Sequence, residues 1–190
     1  MITPDQLAKS GTEHGHQAAL FCWASIAALH GFEIAWKFAE IGQAAFLGTT
    51  RPNVKAVPEL RWMFAIPNGA VFGDSEKSRA IRAGKMKAEG LRNGVADVFL
   101  PVPRRISNPH PGEFESALGG YIVDEVAYCG LFIEMKKPEL RPKRDGKGGV
   151  SEDQEKFGVF AKEQGYGWVV CYDWREAAKM VEDYLKWNPQ

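Results

Sequence analysis

The stretch GLFIEMKKP, residues 130–138, is the clearest strand in the chain, and the fold is read outward from it. Leu131, Phe132 and Ile133 form an apolar run, and Pro138 ends it. Glu134 and Lys136 interrupt the run two residues apart. Side chains alternate faces along a strand, so these two point the same way, roughly 7 Å apart. Ile133 and Met135 then face the opposite side. Spacing alone leaves two readings open. In one, the strand ends at Met135 and both charges emerge into solvent. In the other, a carboxylate and an ammonium build a charged centre at the strand's edge, because unpaired buried charges are costly.

A second apolar run, VADVFLPVP at residues 95–103, carries a lone carboxylate, Asp97. If the two strands are neighbours, Asp97 and Glu134 converge. Two hard oxygen donors suit Mg²⁺, with water and a substrate phosphate completing its shell. Lys136 beside them would orient an attacking water or offset charge building on a phosphate.

Around these strands lie helical patterns. Residues 13–30 and 33–46 read as two helices, with Thr12 as cap of the first and Gly31 as its stop. Residues 62–68 read as a short strand ended by Pro67-Asn68-Gly69. Residues 74–92 read as a charged helix, and 104–128 as irregular with room for a hairpin. Ser151 opens a helix over 151–164, GWVVCYD is a buried strand, and residues 174–187 close the chain as an amphipathic helix with Ala177, Met180, Val181 and Leu185 on one stripe. Strands interleaved with helices predict α/β layers around one mixed sheet. No second-domain linker interrupts the 190 residues, so one domain is expected over 1–190.

Composition narrows the class. The chain is 45% apolar and 25% charged, with a formal net charge of zero. No apolar run reaches the ~20 residues that cross a bilayer, so no membrane partner is expected. The polar N-terminus predicts no export. Cys22, Cys129 and Cys171 are odd in number and far apart, which predicts neither a disulfide framework nor a zinc cage, and a reducing, cytoplasmic setting. Cations cluster despite the zero net charge. One stretch holds Lys77, Arg79, Arg82, Lys85, Lys87 and Arg92, and another runs from Lys136 to Lys147. One basic face for a polyanion would explain them, and so would ordinary solvated surface.

Asp97 followed by Glu134-Met135-Lys136 resembles the PD-(D/E)xK nuclease superfamily. FAIPNG at 64–69, KAEGLRNGVADVFLPVPR at 87–104, GLFIEMKKP at 130–138, and SEDQEKF followed by EQGYGWVVCYDWREA resemble its virus-type replication-repair nuclease (VRR-NUC) family more closely. Together they span residues 62 to about 186. The resemblance implies a restriction-endonuclease-like core, a central mixed sheet flanked by helices, and phosphodiester hydrolysis with Mg²⁺ or Mn²⁺. It implies Asp97, Glu134 and the backbone carbonyl of Met135 as metal ligands and Lys136 as the catalytic lysine. Glu13 matches an acidic helix residue that assists a metal-bound water, and Gln17 shares its helix face. Gln154 matches a glutamine that faces the site. Asn68 would hold a neighbouring loop or a DNA phosphate, and Lys77, Arg79, Arg82, Lys85 and Lys87 would line the DNA path.

Two departures stand out. Ala96 occupies the place where the family often has proline. Residues 32–58 and 105–128 read as insertions that would shape an oligomer contact or a substrate loop. As a stand-alone form the chain is similar to viral members that act as homodimers. That implies a phage or prophage origin, a bacterial cytoplasm and structure-selective cleavage of branched DNA, with Holliday-type junctions as candidates. The alternative is a non-catalytic nucleic-acid-binding or assembly protein on a nuclease fold. A nucleotide-binding enzyme ranks below both, since neither GxxxxGK[ST] nor GxGxxG occurs.

Overall fold

The computed structural model describes residues 1–47, 55–67, 75–107, 124–143 and 149–187. Its centre is a four-stranded sheet in the order β1 (Phe64–Ala65), β2 (Val98–Leu100), β5 (Leu131–Met135), β6 (Gly167–Cys171). β1 and β2 are antiparallel, β2 and β5 are antiparallel, and β5 and β6 are parallel. A parallel pair needs a crossover, and α4 (Glu152–Glu163) supplies it. The expected α/β architecture with a mixed sheet flanked by helices is therefore present. β3 (Arg104–Ser107) and β4 (Asp124–Tyr128) form a separate antiparallel pair, the hairpin for which the sequence left room.

The sheet's two faces differ. Val98, Leu100, Leu131, Ile133 and Met135 point into the main core with α2 (Glu13–Ile41) and α5 (Trp174–Lys186). Phe99 and Phe132 point the other way and stack at 4.3 Å between centroids. Phe157 of α4 meets Phe132 edge-on. Glu134 lies two residues beyond Phe132, so it shares the α4 side.

α2 starts at Thr12, whose Oγ1 accepts the Gly15 N–H at 3.0 Å. Gly31 breaks it with φ 81° and ψ 166°, and the helix resumes to Ile41 before a 3₁₀ turn over Gly42–Phe46. A Cβ at Gly31 would sit 2.6 Å from the Lys55 carbonyl oxygen, so the kink lets the returning chain approach. The two helical patterns expected on either side of Gly31 are both present, separated by its non-helical backbone. The helical stretch through Phe46 is long and apolar enough to cross a membrane by length and composition, with an 18-residue window of mean hydropathy 1.5. Yet 56% of that window is buried inside the protein, and Leu20, Trp23, Ala27, Ala35 and Phe38 are core residues.

Smaller differences have local causes. α1 (Pro4–Ala8) was not foreseen, though Thr3 and Gln6 form a capping box around it. The charged helix is shorter than its pattern: α3 spans Glu76–Ala88 from an N-cap at Ser75. In α5 the buried stripe runs through Ala177, Ala178, Val181 and Tyr184, while Met180 is 37% exposed.

Candidate active site

Asp97 stands one residue before β2. Its carbonyl accepts the Ile66 N–H at 2.7 Å, which ties it to the end of β1. Continuing the Val98↔Ile133 register by one step sets Asp97 opposite Glu134. At this step the ladder changes character. The Met135 N–H donates at 2.8 Å to Asp97 Oδ2, a side-chain oxygen. The carboxylate thereby takes over a strand hydrogen bond and is fixed in place.

Glu134 is fully buried, at 0% exposure. Its Oε1 accepts from Lys136 Nζ at 3.0 Å and also from Gln154 Nε2. Its Oε2 is buried and accepts no hydrogen bond from the described residues. Burial pushes the Glu134 carboxyl up to about 8, the neighbouring Asp97 charge pushes the same way, and Lys136 opposes both. The expectation that Glu134 and Lys136 share a face is met: strand alternation brings them into one ion pair. The solvent-emergence reading fails for Glu134.

Gln154 is held for its task by helix capping. Ser151 and Gln154 form a capping box in which Gln154 Oε1 accepts the Ser151 N–H at 2.9 Å. That bond orients the amide so that its nitrogen faces Glu134. The start of α4 is pressed in turn against the loop before β2. Gly94 there has φ 79°, and a Cβ on it would lie 2.5 Å from the Asp153 carbonyl carbon and oxygen. Only glycine permits this approach.

Glu13 enters from the first turn of α2. It lines a cleft of about 260 Å³ together with Asp97, Gln154, Arg92, Asn93 and Gly94. Burial raises its carboxyl above the ordinary value, the Asp97 charge adds to this, and Lys136 and Lys137 oppose. Asp97, Glu134, Lys136, Glu13 and Gln154 are thus brought together from β2, β5, α2 and α4. A larger groove of about 540 Å³ lies beside β6, but it is mainly apolar and holds no carboxylate pair.

The other expected residues fall elsewhere. Met135 reaches the site through its backbone N–H, its side chain being buried in the core. Gln17 is half-buried on α2. Lys85 and Lys87 are exposed in the last turn of α3. Lys77, Arg79 and Arg82 lie on α3, with only their backbone among the described atoms, and Asn68 is outside the described residues. Sequence reading did not single out Arg92, Asn93 or Gly94 as part of the site. The glycine next to an apolar run was the available signal.

Among the described residues, no group of three or more His, Cys, Asp and Glu side chains is drawn together to cage a metal ion. Asp97 and Glu134 are two donors, the number that Mg²⁺ commonly takes from protein while keeping several waters. The test of fit is Glu134 Oε2. A buried carboxylate oxygen without a partner, beside a second carboxylate, needs a proton or a cation. The pair fits a small divalent cation on that ground.

Neither the known protein-family models nor the curated proteins include a match to this chain. Among solved structures, one described as a VRR_NUC domain protein is similar over 92% of this chain and 88% of its own, with 16% sequence identity and a TM-score of 0.46. A likeness that distant assigns neither family nor activity.

Proposed function

We propose that this protein is a DNA nuclease that hydrolyses phosphodiester bonds with Mg²⁺ or Mn²⁺ held by Asp97 and Glu134. The observation that carries the reading is the Asp97–Glu134 pair, with Lys136 Nζ at 3.0 Å from Glu134 Oε1 and Glu134 Oε2 buried without a donor among the described residues. A bound cation would supply a Lewis acid for the phosphate and a more acidic water.

The chain's own residues provide the rest. Met135 N–H holds Asp97 Oδ2, which leaves Oδ1 for a ligand. Lys136 and Gln154 both hold Glu134 Oε1, which reserves Oε2. The Lys136 ammonium lies where it would offset negative charge growing on a cleaved phosphate. Glu13, on the cleft wall with a raised carboxyl pKa, is placed to accept a proton from an attacking water.

We extend the reading to the substrate's shape. The sequence resemblance supports branched DNA, including four-way junctions, cut by a homodimer with two centres. It likewise supports a phage or prophage nuclease working in a bacterial cytoplasm.

The test is incubation with flap, four-way and linear duplex DNA in Mg²⁺ or Mn²⁺. The expected result is metal-dependent cutting that favours the branched forms and is lost in Lys136→Ala. Cutting by Lys136→Ala at the wild-type rate overturns the mechanism. DNA binding with no cutting by the wild type identifies a non-catalytic binder. A monomer in light scattering overturns the dimer.

A further inference from the structure

Two clefts meet at Arg92. The first is the catalytic one, where Arg92 is the single cationic side chain among the described lining residues, which also include Glu13 and Asp97. The second is a groove of about 410 Å³ lined by Ile66, Pro67, Met86, Leu91 and Val95, with Glu89 at its polar side. Leu91, Arg92 and Val95 border both. One side chain therefore stands on the ridge between an acidic, polar site and an apolar hollow.

The guanidinium is held from behind. Its Nη1 donates to the carbonyls of Leu91 at 3.3 Å and Lys87 at 3.5 Å. Its Nη2 and Nε have no protein partner among the described residues. Those two atoms form the edge that grips a phosphate in two-pronged fashion. No carboxylate pairs with Arg92 among the described residues.

We propose that Arg92 and the adjoining groove form a nucleotide subsite: Arg92 binds the backbone phosphate next to the one cleaved, and the groove takes the nucleoside attached to it. Placement beside the catalytic cleft rests on the nuclease reading, while nucleotide binding itself does not. Charge favours a phosphate at Arg92, the single cation among the described residues of a cleft whose acids repel an anion elsewhere. Shape and polarity favour a base in the groove, since an apolar wall of Pro67, Met86 and Leu91 suits a flat ring.

The experiment titrates deoxythymidine 5′-monophosphate, deoxyribose 5-phosphate and inorganic phosphate into the metal-free protein. Binding is read from the Met86 methyl resonance and by calorimetry. The expected result is at least tenfold weaker binding of the sugar phosphate and of phosphate than of the nucleotide. Arg92→Ala abolishes the nucleotide signal, and Arg92→Lys keeps part of it. Far-UV circular dichroism melts of each variant check folding, and Met86→Ile, which keeps the groove's bulk, retains binding while reporting through Leu91. Unchanged nucleotide affinity in Arg92→Ala overturns the subsite. Equal binding of phosphate and nucleotide overturns the nucleoside half. Nucleotide binding at Arg92 in a protein that cuts no DNA leaves the subsite standing and removes the nuclease reading.

Discussion

Asp97 accepts the Met135 amide at 2.8 Å, so the carboxylate expected to hold a metal is also the last rung between β2 and β5. The two duties are separable by substitution. Asp97→Asn keeps a carbonyl oxygen for the Met135 N–H and loses the charge. Asp97→Ala loses both, leaving a backbone donor unpaired at a cost of about 1–3 kcal/mol. Urea melts are expected to show Asp97→Asn close to wild type and Asp97→Ala well below it, with both inactive on DNA. Equal stability of the two variants would show that the rung contributes nothing.

Lys136→Ala is expected to slow cleavage by roughly 100-fold or more, the scale set by losing one electrostatic donor at a charged transition state. DNA affinity in chelator changes far less, because Lys136 is mostly buried, with 12% of its side chain exposed. A parallel fall in affinity and rate would identify Lys136 as a binding residue instead.

In chelator, stability depends on pH through Glu134. Its carboxyl stands at about 8 in the folded protein against 4.5 ordinarily. The folded chain therefore keeps a proton that the unfolded chain has released. This stabilising contribution is full below about pH 4.5 and is lost as pH rises through about 8. Glu134→Gln is expected to flatten that decline in thermal melts. Mg²⁺ or Mn²⁺ is expected to raise the melting temperature of the wild type more at pH 8 than at pH 5, and Glu134→Gln to lose that gain.

Gly94 and Gly31 offer a matched pair. Each has positive φ, and each would place a Cβ 2.5–2.6 Å from a neighbouring carbonyl oxygen. Alanine at either is expected to cost about 1–3 kcal/mol. Gly31 lies about 27 Å along α2 from Glu13, at 1.5 Å per residue. Gly94→Ala is therefore expected to lower activity per folded molecule, because it pushes the cleft wall off Asp153, and Gly31→Ala to leave it unchanged. Nuclease assays below both melting temperatures distinguish the two. Equal activity losses would mean the strain at Gly94 is not felt locally.

Lys85 and Lys87 are exposed near Arg92 in sequence, on the last turn of α3. If they contact DNA phosphates, each alanine substitution reduces the slope of log affinity against log salt by about 0.9 on duplex, without altering sequence preference. An unchanged slope assigns them to solvated surface.

Much of the centre was legible because strands have period two. Glu134 and Lys136 had to share a face, and an acid inside VADVF had to lie where a neighbouring strand could use it. The register that sets Asp97 against Glu134 was not legible, since nothing local fixes which strands pair. Gln154 could be read as a capping residue from Ser151 alone. Its second bond, to Glu134, depends on where α4 docks. The cleft wall was missed for a similar reason: Arg92 looked like one more cation in a charged stretch until Gly94 folded its loop against Asp153.

The Phe99–Phe132 stack ends where Asp97 faces Glu134. A second pair of large hydrophobes would extend that stripe under α4 and make the fold more durable. The position is instead given to groups that repel each other when both are charged. Rigidity here comes from the aromatic rungs and reactivity from the rung beyond them. A search for hardier variants should therefore arrive first at substitutions of Glu134, and each should abolish the chemistry it replaces.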